Sequence, residues 1–212
     1  MVLRGRVVRR LAATAAAVAT LAFAAGTAGA AGDADPALGR TLQRGGLVLV
    51  LRHAATDFSK PDQDPVDLGD CRTQRNLSAQ GRADARAIGR GVRRLRLRIG
   101  QVLSSPFCRT KETARLAFGR LTVSRALLNT ITAEHDARWR RQIRAARRLL
   151  GTKPAPGKVD VFVTHGSVVG DMTGLTLEEG ETLVFRPLGS SRFRLVDRIL
   201  PREWRTLRTT TS

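Results

Sequence analysis

The sequence predicts an α/β fold, a three-layer sandwich in which a mostly parallel central sheet has helices on both faces. Three observations carry that expectation. Leu47 to Leu51 is an unbroken apolar run of leucine and valine, the pattern of a strand buried on both faces, and it stops at Arg52-His53. Val159 to Thr164 repeats the design and stops at His165-Gly166. Apolar residues recur at helical spacing over Ser78 to Leu95 and Asp136 to Leu150, and strands alternating with such helices build a covered, mainly parallel sheet.

The first thirty residues are expected to lie outside that fold. Arg4, Arg6, Arg9 and Arg10 form a positive region, Leu11 to Ala25 is a short Ala-dominated apolar stretch, and Ala28-Gly29-Ala30 has the small residues of a cleavage site. Residues 1–30 therefore read as an export signal, and a secreted, periplasmic or cell-envelope location follows. The apolar stretch falls short of the ~20 residues a spanning helix needs. No later segment is long and apolar enough to cross a bilayer, so no transmembrane span is expected once the signal is removed. Arg9-Arg10 permits a twin-arginine route without selecting it.

The signal takes four arginines and no acid, so the formal charge of +19 falls to +15 over the remaining 182 of the 212 residues. That length suits one domain with a full core. So positive a chain favours anionic partners, anionic envelope material among them, although Arg138 to Arg148 also reads as a solvated helix face. Seven Phe, two Trp and no Tyr, mostly in apolar runs, give no aromatic-basic stacking pattern, and no specific nucleic-acid binding is expected.

Residues 31–46 mix Asp, Pro, Gly and Arg without a convincing apolar period and read as a tether leading to a short helix or turn. The domain proper is expected over 47–205. After the first strand, Asp57 to Cys71 is a long loop holding Pro61, Pro65, Gly69 and four aspartates, Asp62, Asp64, Asp67 and Asp70. Loops of that length in compact domains are usually functional, so it is placed over the site as a substrate-facing rim. Ser78 fits an N-cap for the first long helix. Val102-Leu103 begins a second strand, and Pro106 suits the first position of a helix that Gly119 stops.

A third strand is expected near Leu121 to Ser124. Trp139, Ile143, Ala146, Leu149 and Leu150 line one side of the next helix, and Pro154, Pro156 and Gly157 break the chain before the strand at Val159. From Gly166 to Leu188 a short helix at most is expected, then a strand over Glu181 to Arg186. Arg192 to Ile199 alternates as an edge strand does. Residues 206–212 read as a disordered tail. Cys71 and Cys108 are the only cysteines, a candidate disulfide between two loops in an exported chain, and neither has metal-ligand spacing.

Parallel strands bring their carboxyl ends to one edge, where ligands bind in open α/β sheets. Arg52, His53, Arg109 and His165 at that edge would form a phosphate pocket. Arginine forks grip phosphate oxygens, a neutral imidazole is a competent nucleophile, and no metal or cofactor is required. Arg75, just after the acidic loop, is a candidate for a second anionic group of a small phosphorylated substrate. His135 has no strand before it and reads as a surface histidine.

Arg52-His53-Ala54-Ala55-Thr56 resembles the Arg-His-Gly signature of the histidine phosphatase superfamily, the phosphoglycerate mutase-like group, in its first branch. Ser104 to Ala114, with Ser-Ser-Pro-Phe-Cys-Arg-Thr at its head, is similar to that family's second signature, Thr164-His165-Gly166 to its second histidine motif, and Leu77-Ser78-Ala79-Gln80-Gly81 to its Leu-Ser-x-x-Gly. Four matches in the family's order span residues 47 to 170. The resemblance implies a phosphoglycerate mutase-like fold and a phosphomonoester hydrolase. His53 would become phosphohistidine, Arg52, Arg109 and His165 would hold the phosphoryl group, and water would complete the reaction. Ala54 replaces the usual Gly. The family's Leu-Asn-Glu acid is replaced by Leu128-Asn129-Thr130, so Glu134 is the first candidate general acid, with Asp57, Glu179 and Glu181 behind it. A phosphoryl-binding protein without turnover and, less favoured, a mutase are the alternatives.

Overall fold

The computed structural model describes residues 36–131 and 135–209. The elements run α1 (Pro36–Arg44), β1 (Leu47–Arg52), α2 (Ala79–Arg94), β2 (Ile99–Ser104), α3 (Cys108–Phe118), β3 (Thr122–Val123), α4 (Ala137–Gly151), β4 (Val159–Thr164), α5 (Gly166–Thr173), β5 (Thr182–Gly189) and β6 (Arg192–Ile199). Six strands form one sheet in the order β3-β2-β4-β1-β5-β6. The first four are parallel, and β5 and β6 close one side as an antiparallel hairpin. The α/β expectation holds, with β1 and β4 side by side at the centre.

Alternation along the central strands divides the core into two layers, because successive side chains point to opposite faces. Leu47, Leu49 and Leu51 of β1 join Val159, Val161 and Val163 of β4 under α1, α2 and α3. Val48, Val50 and Phe162 face the other way, against Ile143, Ala146 and Leu150 of α4 and Val168, Val169 and Met172 of α5. Both faces are covered, which is why these strands read as continuous apolar runs.

Three expectations are corrected. The short helix or turn expected after the tether is α1, and it belongs to the domain, since its Leu38 and Leu42, one turn apart, are buried in the first layer. Two leucines among nine residues are too sparse for a period to show. Leu207, within the stretch read as a disordered tail, is instead fully buried beside Trp204 in the same layer. Helix α3 starts at Cys108 and not at Pro106, because Phe107 in the N-cap position is still extended. Residues 1–30, read above as an export signal, lie outside the described residues.

Candidate active site

Register places the two histidines. Arg52 pairs with Thr164 across β1 and β4, so the next residue of each strand leaves the sheet beside the other. The His53 backbone N–H donates to the Thr164 carbonyl at 3.0 Å, and the two imidazoles meet edge to face with ring centroids 5.3 Å apart. Both are nearly fully buried. His53 Nδ1 lies 3.0 Å from the Ala54 carbonyl. A carbonyl only accepts, so Nδ1 carries the proton and Nε2 keeps its lone pair. His165 Nε2 is 2.9 Å from the Ser105 hydroxyl.

Neutral imidazoles are what this surrounding favours. Burial, aided by the positive charges of Arg109, Arg52 and Arg75, overrides the Ala54 hydrogen bond and pulls His53 down to about 3. Burial first, then His53 and the same three arginines, holds His165 well below the ordinary histidine value.

Arg52 ends β1, and Arg109 stands in the first turn of α3, 1% exposed, with its guanidinium over the Phe107 ring at 4.3 Å. Phe107 in turn meets His165 edge to face at 5.0 Å. Arg52 is fastened by Nη1 to the Leu177 carbonyl at 2.9 Å and lies 3.5 Å from Glu179 through Nη2. Arg109 is fastened by Nη1 to Asp62 at 2.9 Å and to the Arg75 carbonyl at 3.2 Å. Among the described residues, the buried side-chain nitrogen and oxygen atoms without a hydrogen-bond partner are two, Arg52 Nε and Arg109 Nε. Leaving a buried donor unmade costs about 1–3 kcal/mol, and more for a charged group. Two such donors from neighbouring cations mark a place for an anion.

The cavity between them holds about 300 Å³ and is lined by Arg52, His53, Arg75, Arg109 and His165, together with Asn129, Ile131, Ser167 and Leu177. Two glycines let the backbone close around it. A Cβ on Gly81 would sit 1.9 Å from the Ala55 carbonyl oxygen, so the start of α2 packs directly on the loop after His53. Ser78 caps that helix by accepting the Gly81 N–H and also donates to the Ala55 carbonyl, which gives the Leu-Ser-x-x-Gly pattern its physical content. Gly180, at φ +79, donates its N–H to the His53 carbonyl at 2.9 Å.

The described candidate carboxylates divide among three places. Glu134 lies outside the described residues. Asp57 is turned to its own loop, accepting from Ser59, and Glu181 is buried against Arg198 on another cleft. Glu179 is in the site, its carboxylate accepting from the Thr56 N–H and hydroxyl and lying 3.8 Å from His53 Nδ1. Thr130 donates to Asp171, as does the Trp139 indole, so the Leu-Asn-Thr segment is tied to α5 and α4. His135 is exposed and stacked on Trp139, away from the pocket. Cys71 and Cys108 form a disulfide. The sequence assigns no individual role to Ser105 or Asp62; nothing sets Asp62 apart from the other three aspartates of its loop. No group of three His, Cys, Asp or Glu side chains among the described residues is placed to hold a metal ion.

Comparison with known proteins gives a family match over part of the chain and a shared fold. Residues 48–140 match the model of the histidine phosphatase superfamily (branch 1). The protein histidine phosphatase SixA complexed with tungstate superposes with a TM-score of 0.51 at 17% identity, covering 74% of this chain and 97% of that one. A mycobacterial glucosyl-3-phosphoglycerate phosphatase superposes with a TM-score of 0.50 at 16% identity, covering 70% of this chain and 96% of the other. No curated protein sequence matches the chain.

Proposed function

From residues 48–140, which match branch 1 of the histidine phosphatase superfamily, and from the fold shared with it, we propose that the chain is an exported, metal-independent phosphomonoester hydrolase working through a phosphohistidine on His53. The observation that carries the reading is the pair of buried, unpartnered arginine Nε atoms beside an imidazole whose Nε2 lone pair is free. Arg52 and Arg109 take equatorial phosphoryl oxygens through those donors. His53 Nε2 attacks phosphorus, the bond to the ester oxygen breaks, and that oxygen leaves with the electron pair and takes up a proton. His165, its Nε2 held by Ser105, offers Nδ1 to the phosphoryl group. Glu179 offsets the positive charge His53 gains. Water then attacks phosphorus, returning neutral His53 and inorganic phosphate. Small phosphorylated compounds fit the cavity volume, and an envelope location fits the N-terminal export signal.

A second reading keeps the pocket but removes turnover. No carboxylate follows Leu128-Asn129, where the family's acid stands, and Thr130 is committed to Asp171. One experiment separates the two: hydrolysis of para-nitrophenyl phosphate by the chain from Ala31, in chelator, for the parent and His53→Ala. We expect parent turnover that survives chelator and is lost in His53→Ala, with acid-labile phosphate trapped on the parent. Phosphate or vanadate binding without any turnover would favour the binding protein.

A further inference from the structure

The rim loop reaches the phosphate pocket at Arg109. A guanidinium has five N–H donors, and the two on Nη1 are both taken by this loop, one by Asp62 Oδ1 and one by the Arg75 carbonyl. That leaves the Nε–Nη2 edge, which presents two parallel donors to an oxyanion, and its Nε is buried and unpartnered. Asp62 Oδ1 is itself held, accepting the Arg75 backbone N–H at 2.8 Å. Two further fastenings tie the loop to the residue just before Arg109. Gln74 Oε1 accepts the Cys108 N–H at 2.8 Å, and the Cys71–Cys108 disulfide joins Cα atoms 5.7 Å apart. Burial disfavours the Arg109 cation, and the Asp62 carboxylate is the leading influence opposing it.

We propose that Asp62 is a positioning residue: carried by the disulfide-anchored rim loop, it turns Arg109 so that the Nε–Nη2 edge faces the phosphoryl group. The inference rests on the phosphate-pocket reading above. A carboxylate in this position has two rival roles. It could compete with phosphate for Arg109, or it could supply the proton that the missing Leu-Asn-Glu acid would have given. The three roles differ in sign and in the kinetic parameter they move.

The experiment measures inorganic phosphate binding by calorimetry, and kinetics on para-nitrophenyl phosphate and glycerol phosphate, for the parent, Asp62→Ala, Asp62→Asn and Cys71→Ser/Cys108→Ser. Losing a hydrogen bond to a buried cation predicts about tenfold weaker phosphate binding and a similar rise in KM for Asp62→Ala, with kcat held within about threefold. Asp62→Asn keeps an acceptor oxygen without the charge and is expected within about threefold of the parent. The double serine variant should weaken phosphate binding in the same direction, and it carries the test if Asp62→Ala does not fold. Phosphate bound as tightly or more tightly by Asp62→Ala overturns the proposal in favour of a competitor. Equal kcat losses in Asn and Ala on glycerol phosphate, with para-nitrophenyl phosphate spared, overturn it in favour of a proton donor. Unchanged affinity in the serine variant removes the anchored loop. A parent that binds phosphate without turnover defeats the hydrolase reading while the binding comparison still decides this one; a parent that binds no phosphate defeats both.

Discussion

The sheet edge and the loops that lie over it build one pocket by different means. His53, His165 and Arg52 are set by strand register: adjacent parallel strands ending at the same level leave their next residues side by side. Asp62 and Glu179 arrive from irregular segments, and each is fixed by hydrogen bonds to backbone or hydroxyl groups distant in sequence, Asp62 to Arg75 and Glu179 to Thr56. The nucleophile and the two arginines with unpartnered Nε atoms thus come from strand ends and a helix, and the carboxylates that aim or compensate them come from the loops, as does Arg75. If that division holds, substitutions at the edge should cost chemistry outright, and substitutions in the loops should move one kinetic parameter at a time.

The largest effect is expected at the edge. His165 touches Ser105 and Phe107 and, in the proposed mechanism, faces the place where phosphoryl charge develops. Removing one preorganised donor of this kind costs about 10²–10³ in kcat, so His165→Ala should lose about three decades on para-nitrophenyl phosphate while His53→Ala loses all measurable turnover. Residual activity in His165→Ala above a tenth of the parent would dissolve the distinction between edge and loop.

Acid titration sharpens the same comparison through stability. Both edge histidines have folded values depressed below the unfolded 6.5, His53 to about 3, so the unfolded chain binds protons that the folded chain excludes. Stability is therefore complete above about pH 6.5 and falls as pH drops toward 3, by about 1.4 kcal/mol per pH unit for each buried histidine. Urea unfolding at pH 7.5 and pH 5 should show this loss, and His165→Asn should reduce its slope by about half. A flat profile for the parent would mean that water reaches the imidazoles.

Legibility in the sequence follows the same division. Strand β4 was read to the residue, because a strand buried on both faces is an apolar run that ends where burial ends. The helices α2 and α4 were read to within a residue because Ser78 and Asp136 cap them. Where position depends on contacts across the molecule, the reading failed. Helix α1 is legible only as a short helix or turn, and its place in the core is not, because its buried signal is two leucines; Leu207 is not legible because one leucine near a terminus has no period. Pro106 suits a helix start by residue type, whereas here it lies in the bend between β2 and α3, two residues before the helix begins. Asp62 could not be chosen over Asp64, Asp67 or Asp70 by any local rule, since only its partners differ.

The smallest effect, and the one that tests the loops hardest, is at Glu179. Its carboxylate holds the Thr56 N–H and hydroxyl, and its charge lies 3.5 Å from Arg52 and 3.8 Å from His53. Glu179→Gln keeps an acceptor for Thr56 but removes the charge. A phosphoryl anion would then bind in a more positive pocket, while the cationic imidazole formed on attack would lose its nearest compensation. The expected outcome is a split, with kcat about tenfold lower, or about 1.4 kcal/mol, and KM unchanged or reduced. That is the reverse of the signature expected for Asp62→Ala, in which KM rises and kcat holds. Steady-state kinetics of the two variants side by side decide whether the loop carboxylates have separate tasks, one aiming a cation and the other balancing a charge. If both variants change kcat and KM together, the loops act as one structural unit, and the pocket divides only into what the strands place and what covers it.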